Sequence, residues 1–363
     1  MHIVITTQCF APDVGGIENL MTGLATTLAA RGHQVLVLAD RPRGSRADDS
    51  GHPFTVRRFG GPRPWRRRRK ARYLNRLLQH GEALHLIADS WKSLELLQRH
   101  ASVRVLCLAH GMELPLAPSP RKRRRIRRAL AGCRVIANSR YTAGRAAPFL
   151  EDVPVTVIPP GVNPPPGPGA GDSGRVQQAL DGRRPRLISV ARLQPHKGLD
   201  QVIKALPGMI RLFPQLVYII LGEGPDRDRL QRLITDCGVS GHVILAGTVD
   251  AKQRTAWLGA SDVFVLPGRP AGDRIEGFGI AFMEAGWLGL PAIAGRDGGG
   301  GEAVLQRETG LVCDGADAGA VFDALHELLS DEALRHRLGA AAAQRAHDFS
   351  WDRIVEQYEA LLY

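Results

Sequence analysis

Short runs of apolar, often β-branched residues recur along this chain. Each is followed by a longer stretch in which apolar residues return every three or four positions. The short runs are continuous rather than alternating, as in HIVITT, VRVLCLA, VYIIL and VFVL, the pattern of strands buried on both faces. Strands are expected at 2–9, 34–39, 83–88, 103–109, 133–138 and 155–159 in the first half. In the second half they are expected at 185–191, 216–222, 242–246, 262–266, 291–294 and 310–313. Helical spacing falls between them at 17–31, 91–100, 122–131, 200–212, 226–237, 252–259, 280–289, 318–329 and 332–346. Strand–helix alternation of this kind predicts an α/β chain of parallel sheets covered by helices.

A Pro- and Gly-rich stretch, Asn163 to Gly174, breaks the alternation and reads as a linker. The expected organisation is a Rossmann-like domain at 1–163, a linker at 164–183, a second Rossmann-like domain at 184–347 and a final helix at 348–363. Ser350 is the candidate N-cap of that helix. Ligands of such sheets bind beyond the carboxyl ends of the strands, so the active site is expected in a cleft between two facing domains. No long internal repeat interrupts this reading.

Composition changes the picture little, and charge changes it more. With 363 residues, 44% hydrophobic and 23% charged, the chain has ordinary globular composition for two domains. Its five cysteines stand far apart, with no Cys-x-x-Cys pair, which argues against zinc and a disulfide framework and for a reducing cytoplasm. The N-terminus reads as a first strand, not a signal peptide, and no apolar run reaches the about 18 residues of a membrane span. Residues 1–163 carry 27 of the 48 Lys and Arg and 11 of the 36 Asp and Glu, a net +16 that leaves −4 for the remainder. The first half therefore faces something anionic.

Candidate chemistry concentrates in Arg274-Ile-Glu276-Gly-Phe-Gly279-Ile-Ala-Phe-Met-Glu284. Glu276 falls in the loop entering a helix and Glu284 inside it, roughly 10 Å apart at a rise of about 1.5 Å per residue. Between them lies a helix start whose unpaired N–H groups and dipole favour a phosphate. Gly277 and Gly279 let a ligand approach the backbone. Acid, phosphate seat and acid in a row suit a nucleotide diphosphate sugar. In Ala191-Arg192-Leu-Gln-Pro-His196-Lys197-Gly-Leu-Asp200, two cations on a strand–helix loop can clamp a diphosphate. His196 is expected to be exposed there. His110-Gly-Met-Glu113 ends a strand, and Pro12-Asp-Val-Gly15-Gly16-Ile-Glu18 opens the first helix with N–H groups available. The latter is not a GxGxxG fingerprint, so dinucleotide binding is poorly supported.

EGFGIAFMEA followed by GLPAIAG resembles the Glu-x7-Glu motif of retaining glycosyltransferases of family 4, which have the GT-B fold. ARLQPHKGLD is similar to that family's Gly-Arg-Leu…Lys-Gly-x-Asp signature, with Ala191 replacing the usual Gly. His110-Gly111, the Gly15-Gly16 loop, Leu221-Gly222-Glu-Gly-Pro, Ala246-Gly-Thr248-Val249, the run Gly298–Gly301 and Ser139-Arg140 also match, so the resemblance spans nearly the whole chain. It implies a GT-B fold whose C-terminal helix crosses back to the N-terminal domain. As catalytic residues it implies His110, Glu276, Arg192 and Lys197. The donor would be held by Gly15, Gly16, Arg192, Lys197, Gly222, Thr248, Val249, Phe278, Gly279, Ile280 and Glu284, and the acceptor contacted by Glu113 and Arg140. Glu284 would hydrogen-bond the ribose. Glu276 would either orient sugar hydroxyls or steady a positively charged transition state. The four-glycine run would approach the donor or simply form a flexible turn. No cofactor or metal is expected, since two side-chain cations would neutralise the diphosphate.

The expected donor is GDP-mannose or a UDP-hexose, with the bias to GDP-mannose because the EGFGI and HGME segments resemble bacterial lipid mannosyltransferases. The expected acceptor is a glycan or lipid-linked acceptor of cell-envelope synthesis. Two basic clusters remain, at Arg63, Arg66–Arg69, Lys70, Arg72 and Arg76, and at Arg121–Arg125 with Arg127 and Arg128. They read as solvated positions, as contacts to an anionic membrane surface with Pro64-Trp65 and Tyr73-Leu74 as apolar anchors, or as a nucleic-acid face on which Trp65 and Tyr73 stack bases. The membrane reading leads and nucleic acid is disfavoured, since no recognised nucleic-acid module accompanies the charge. The expected location is cytoplasmic, at the inner face of the cytoplasmic membrane. Rival functions are a GT-B sugar epimerase or phosphorylase, and a basic nucleic-acid-binding protein with a degenerate enzyme fold.

Overall fold

A computed structural model describes residues 1–13, 15–42, 48–81, 85–98, 100 and 102–363. Val14 of the glycine loop, the start of the strand expected at 83–88 and position 99 of the helix expected at 91–100 lie outside the described residues. The chain forms two compact units, Met1–Asn163 with Phe349–Tyr363, and Pro164–Asp348.

The first unit runs β1 (His2–Thr7), α1 (Gly16–Ala30), β2 (Gln34–Asp40), β3 (Thr55–Phe59), α2 (Arg63–Gln79), β4 (His85–Ala88), α3 (Trp91–Leu94), β5 (Arg104–Ala109), α4 (Pro120–Leu130), β6 (Arg134–Ala137), α5 (Arg140–Ala146) and β7 (Val155–Val157). Its seven strands are all parallel, in the order β3-β2-β1-β4-β5-β6-β7. The second unit runs α6 (Asp172–Leu180), β8 (Arg186–Val190), α7 (Leu199–Leu212), β9 (Val217–Leu221), α8 (Arg227–Asp236), β10 (Val243–Gly247), α9 (Ala251–Gly259), β11 (Val263–Leu266), α10 (Ile280–Trp287), β12 (Ala292–Gly295), α11 (Gly300–Ala303), β13 (Gly310–Cys313), α12 (Ala318–Ser330) and α13 (Glu332–Asp348). Its six parallel strands follow the order β10-β9-β8-β11-β12-β13. In both sheets the order reverses beside the first strand, which opens a crevice at the carboxyl ends.

The last helix, α14 (Trp351–Leu362), belongs to the first unit and packs on α1. Trp351 fixes its position. A Cβ on Gly23 would lie 2.3 Å from the indole nitrogen, and one on Gly161 would lie 2.4 Å from the ring. Two glycines thus make the slot that the indole fills. Arg31 and His33 then bind Glu359, the His33 Nε2 at 2.7 Å from Oε1.

Two apolar clusters cover opposite faces of the first sheet. α1 and α14 contribute Leu24, Leu28, Ile354 and Tyr358 to one. α2, α3 and α4 contribute Leu74, Leu78, Trp91, Leu94, Ile126 and Leu130 to the other. The two arginine-rich helices therefore share one face of the sheet. Glu95, just after α3, joins them, accepting from Arg67 of α2 and from Arg125 of α4 (Nε, 2.7 Å).

Several expectations change. The basic stretch from 63 is a 17-residue helix whose period brings Lys70, Leu74 and Leu78 to the inner face. Lys70 is accordingly buried, its ammonium donating to Thr7 O (2.6 Å) and Asp40 Oδ1 (2.8 Å), with Arg66 on the other Asp40 oxygen at 2.9 Å. These cations hold the fold and are not part of an anion-facing surface. Arg63, Trp65, Arg68, Arg69, Arg72 and Arg76 of α2 are exposed, as are Arg121, Arg123, Arg124, Arg125 and Arg128 of α4. The helix expected at 91–100 is a single turn, α3. Residues 172–180, expected as linker, form α6, and the four-glycine run enters α11 instead of a flexible turn. Strand β3 was not anticipated, because Thr55-Val-Arg-Arg-Phe59 has no apolar run.

Candidate functional site

In the second unit the candidate residues lie on loops that leave the carboxyl ends of β8, β9, β10, β11 and β12. After β8 the chain turns through a short 3-10 segment, Pro195–Lys197, and enters α7 at Gly198 with φ +74°. A Cβ there would lie 1.9 Å from the Pro267 carbonyl, so only glycine lets the loop after β8 touch the loop after β11. Lys197 is thereby delivered to Glu276, and its Nζ donates to Oε2. Burial opposes ionisation of Glu276, yet the Lys197 charge and hydrogen bond, with the Gly277 N–H, hold its carboxyl below the usual carboxylate range. The glutamate and the lysine expected to clamp a diphosphate are thus brought together, while Arg192 stands exposed on the same loop.

His196 is not the exposed histidine expected. It is 2% exposed, with Nδ1 lacking a hydrogen-bond partner. Burial, then the Lys197 charge, push its pKa down to about 4, so the ring is neutral at pH 7. Its carbonyl accepts from Arg269 N at 2.9 Å. Arg269 in turn forks onto Asp200 (2.8 and 2.7 Å), which is itself buried. Asp200 stood in the quoted signature without a role. The structure gives it one: its carboxylate binds the β11 loop to the start of α7 and so braces Lys197.

Glu276 is also supported from behind. Gly299 N donates to its carbonyl at 2.8 Å. A Cβ on Gly298 would lie 2.5 Å from Glu276 O, and one on Gly299 would lie 2.0 Å from Gly277 O. The four-glycine run is therefore a backbone-to-backbone seat for the loop carrying Glu276. Gly279 (φ +90°) turns that loop into α10, whose first N–H groups receive no side-chain cap. Phe278, expected at the donor, has its side chain buried at 4% exposure. Gly222 makes close backbone contact too, since a Cβ there would be 2.0 Å from Ala191 O. Thr248 and Val249 precede α9, which is fixed by an Asp250–Gln253 capping box. From α9, Arg254 reaches Glu284 of α10 at 3.2 Å. Burial pushes the Glu284 carboxyl above its ordinary value, with Arg254 opposing. Arg254 carried no signal in the sequence.

The chain does contain one Asp-x-Asp pair, Asp226 and Asp228. Asp226 is buried and held by Arg229 through two contacts of 2.6 and 2.7 Å. Among the described residues no group of three or more His, Cys, Asp or Glu has the arrangement of a metal site.

In the first unit, His110 follows β5, and its Nε2 lies 2.9 Å from the Asp89 carbonyl. A carbonyl only accepts, so Nε2 carries a proton and donates to it. The Asp89 carboxylate is anchored by Gln8 N (2.7 Å) and Ser93 Oγ (2.6 Å). Glu113 Oε1 accepts from His110 N at 2.7 Å, which fixes the turn through Gly111 (φ +101°). Glu113 thus shapes the His110 loop. Gly15 is extended, with a Cβ position 2.3 Å from the Glu18 carboxylate, and Gly16 opens α1. Arg140 is exposed at the first position of α5, next to the capping Ser139.

The family model described as glycosyl transferases group 1 matches residues 172–345, and that described as Glycosyltransferase Family 4 matches residues 14–165. A GDP-mannose-dependent alpha-(1-6)-phosphatidylinositol monomannoside mannosyltransferase of Mycobacterium tuberculosis is 33% identical, over 98% of this chain and 96% of its own. The enzyme of the same description in Mycolicibacterium smegmatis is also 33% identical, over 95% and 94%. Among solved structures, sucrose-phosphate synthase from Thermosynechococcus elongatus matches with TM-score 0.81 and 21% identity, over 99% of this chain and 98% of the other. Anabaena HepE in complex with UDP matches with TM-score 0.79 and 20% identity, over 99% of both chains.

Proposed function

The chain belongs to the GT-B glycosyltransferases, and from that membership we propose that it moves mannose from GDP-mannose to a lipid-linked acceptor, with retention of anomeric configuration. The observation that carries the site assignment is the Lys197–Glu276 pair at the uncapped start of α10. It sets a cation, free helix N–H groups and an ionised acid side by side. Arg192 and Lys197 stabilise the charge that develops on the departing diphosphate, and the N–H groups of α10 add to this without reorganising. The two cations supply the charge neutralisation otherwise asked of a metal ion. Once phosphate engages Lys197, Glu276 is released toward the sugar, where it orients hydroxyls or steadies positive charge. Glu284 binds the ribose. His110 contacts the transferred sugar, and Arg140 contacts the acceptor. A donor phosphate oxygen takes the acceptor proton as the new bond forms on the face the diphosphate leaves.

The acceptor class fits the first unit's basic face. The exposed arginines of α2 and α4 lie on one side of the sheet, with Trp65 exposed beside them. Such a surface suits the anionic inner leaflet of the cytoplasmic membrane, each nearby cation contributing about 1 kcal/mol. Among the described residues no helix is long and apolar enough to cross a membrane.

Thermal-shift titration with GDP-mannose, GDP-glucose, UDP-glucose and UDP-galactose tests the donor, because a ligand of the folded state raises Tm. GDP-mannose is expected to give the largest shift, and transfer to phosphatidylinositol mannoside in mixed vesicles is expected to give an α-linked product. A β-linked product, or preference for a UDP-sugar, contradicts the proposal.

A further inference from the structure

Glu284 sits on the second turn of α10, and the only part of its side chain in an ion pair among the described residues is Oε1. The partner comes from another helix. Arg254 lies in the first turn of α9, and its Nη2 spans to Oε1 at 3.2 Å. Both side chains are mostly buried, 26% exposed for Arg254 and 16% for Glu284. The root of Arg254 is itself fixed. Asp250 and Gln253 close a capping box at the start of α9, and Arg254 N donates to Asp250 O at 2.9 Å. Arg254 is therefore a cation held on a rigid stem and aimed across an interhelical gap at one carboxylate oxygen.

That geometry has a consequence for ligand binding. An ion pair to one carboxylate oxygen restricts the group's rotation and leaves the second oxygen to accept from a ligand. Two adjacent ribose hydroxyls need such an oriented acceptor. Burial alone drives the Glu284 carboxyl toward its neutral form, and the Arg254 charge opposes this. A neutral carboxyl would accept more weakly and would turn more freely. Thr248 and Val249 lie immediately before α9, so the same helix start joins the loop expected near the base to the acid expected at the ribose.

Resting on the assignment of Glu284 to the donor ribose, we propose that Arg254 is a positioning residue of the donor site, which holds the Glu284 carboxylate in its ribose-binding orientation without touching the ligand itself.

The test separates this role from a general structural one. Binding of GDP and of 2′,3′-dideoxy-GDP is measured by calorimetry for wild type, Arg254→Leu, Arg254→Lys, Glu284→Ala and the Arg254→Leu/Glu284→Ala double variant, with Tm recorded for each. Wild type is expected to bind GDP at least about tenfold more tightly than the dideoxy analogue, the scale of hydrogen bonds to a charged group. Arg254→Leu is expected to lose about tenfold for GDP and less than twofold for the analogue. In the Glu284→Ala background it should have no further effect. Arg254→Lys, which keeps the charge and most of the volume, should recover part of the loss and stands in if the leucine variant fails to fold. Equal weakening of both ligands would overturn the proposal, since it would mean that Arg254 contacts base or phosphate, or only maintains the fold. Unchanged affinity for GDP would overturn it as well. If wild type binds GDP but ignores the ribose hydroxyls, the ribose role of Glu284 fails first and Arg254 falls with it. If GDP does not bind while UDP does, only the choice of donor base fails, and the same comparison with UDP and 2′,3′-dideoxy-UDP decides the role of Arg254.

Discussion

Gly299→Ala offers a direct test of how the loop carrying Glu276 is held. Gly299 has φ −85° and ψ −5°, a conformation any residue adopts, so the substitution probes space and not backbone strain. Its Cβ would lie 2.0 Å from Gly277 O and 2.8 Å from Phe278 Cα, against ordinary contacts that begin at 3.4 Å. The loop carrying Glu276 must therefore retreat by about 1.4 Å, the difference between the contact distance and the space available. Overpacking on this scale costs about 1–3 kcal/mol of stability. Displacing a reacting group by about 1 Å costs on the order of 100-fold in rate. The expected phenotype is a kcat lower by about two orders of magnitude with Tm lowered by only a few degrees. Gly301→Ala is the internal control. Its Cβ would meet nothing closer than Arg296 O at 3.6 Å. In α11 an alanine is neutral or stabilising by up to about 1 kcal/mol. Steady-state transfer assays with thermal unfolding read both variants. Wild-type kcat for Gly299→Ala, or equal damage from the two substitutions, would refute the account of the glycine run as a backbone seat.

Glu276→Ala should cost about 100-fold or more in kcat yet bind product GDP at least as tightly as wild type, because Lys197 loses its competing carboxylate; weaker GDP binding would count against the pairing. Arg192→Ala and Lys197→Ala should each lose roughly 2–4 kcal/mol of transition-state stabilisation, read as kcat/KM, and transfer should survive EDTA. His196, with its folded pKa near 4 against an ordinary value near 6.5, binds its proton more readily in the unfolded chain. It should therefore make stability rise with pH between those two values, by up to about 1.4 kcal/mol per pH unit, and add no slope above them; His196→Gln should remove that slope in denaturant titrations. Replacing Arg68, Arg69 and Arg72 by Ser should weaken co-sedimentation with acidic vesicles and leave Tm nearly unchanged. Lys70→Ala should instead cost about 3–5 kcal/mol of stability, since it leaves Asp40 buried without that partner. Vesicle binding indifferent to lipid charge or to added salt, or to the three arginines, would contradict the membrane reading.

The sequence determined both sheets almost completely. Strands buried on both faces need continuous apolar runs, and such runs mark most of the strands among the described residues; the two edge strands of the first sheet are the exceptions, β3 with no apolar run and β7 with exposed valines flanking a threonine. The local geometry of the proposed donor loops was legible as well. Glu276, Gly279 and Lys197 are fixed by local turn and helix geometry, which short motifs encode. Partnership was not legible. Lys70 and Arg68 stand two residues apart in one arginine-rich run. Helical period alone, set against a core that only the fold supplies, turns the first inward to Asp40 and leaves the second in solvent. His196 is buried because the β11 loop closes over it, and Arg254 meets Glu284, 30 residues on in sequence, because its long side chain reaches from α9 to α10. Local preferences act over a few residues and are written in them. Burial, ion pairing and the pKa shifts that follow depend on long-range contacts, and those exist only once the chain has packed.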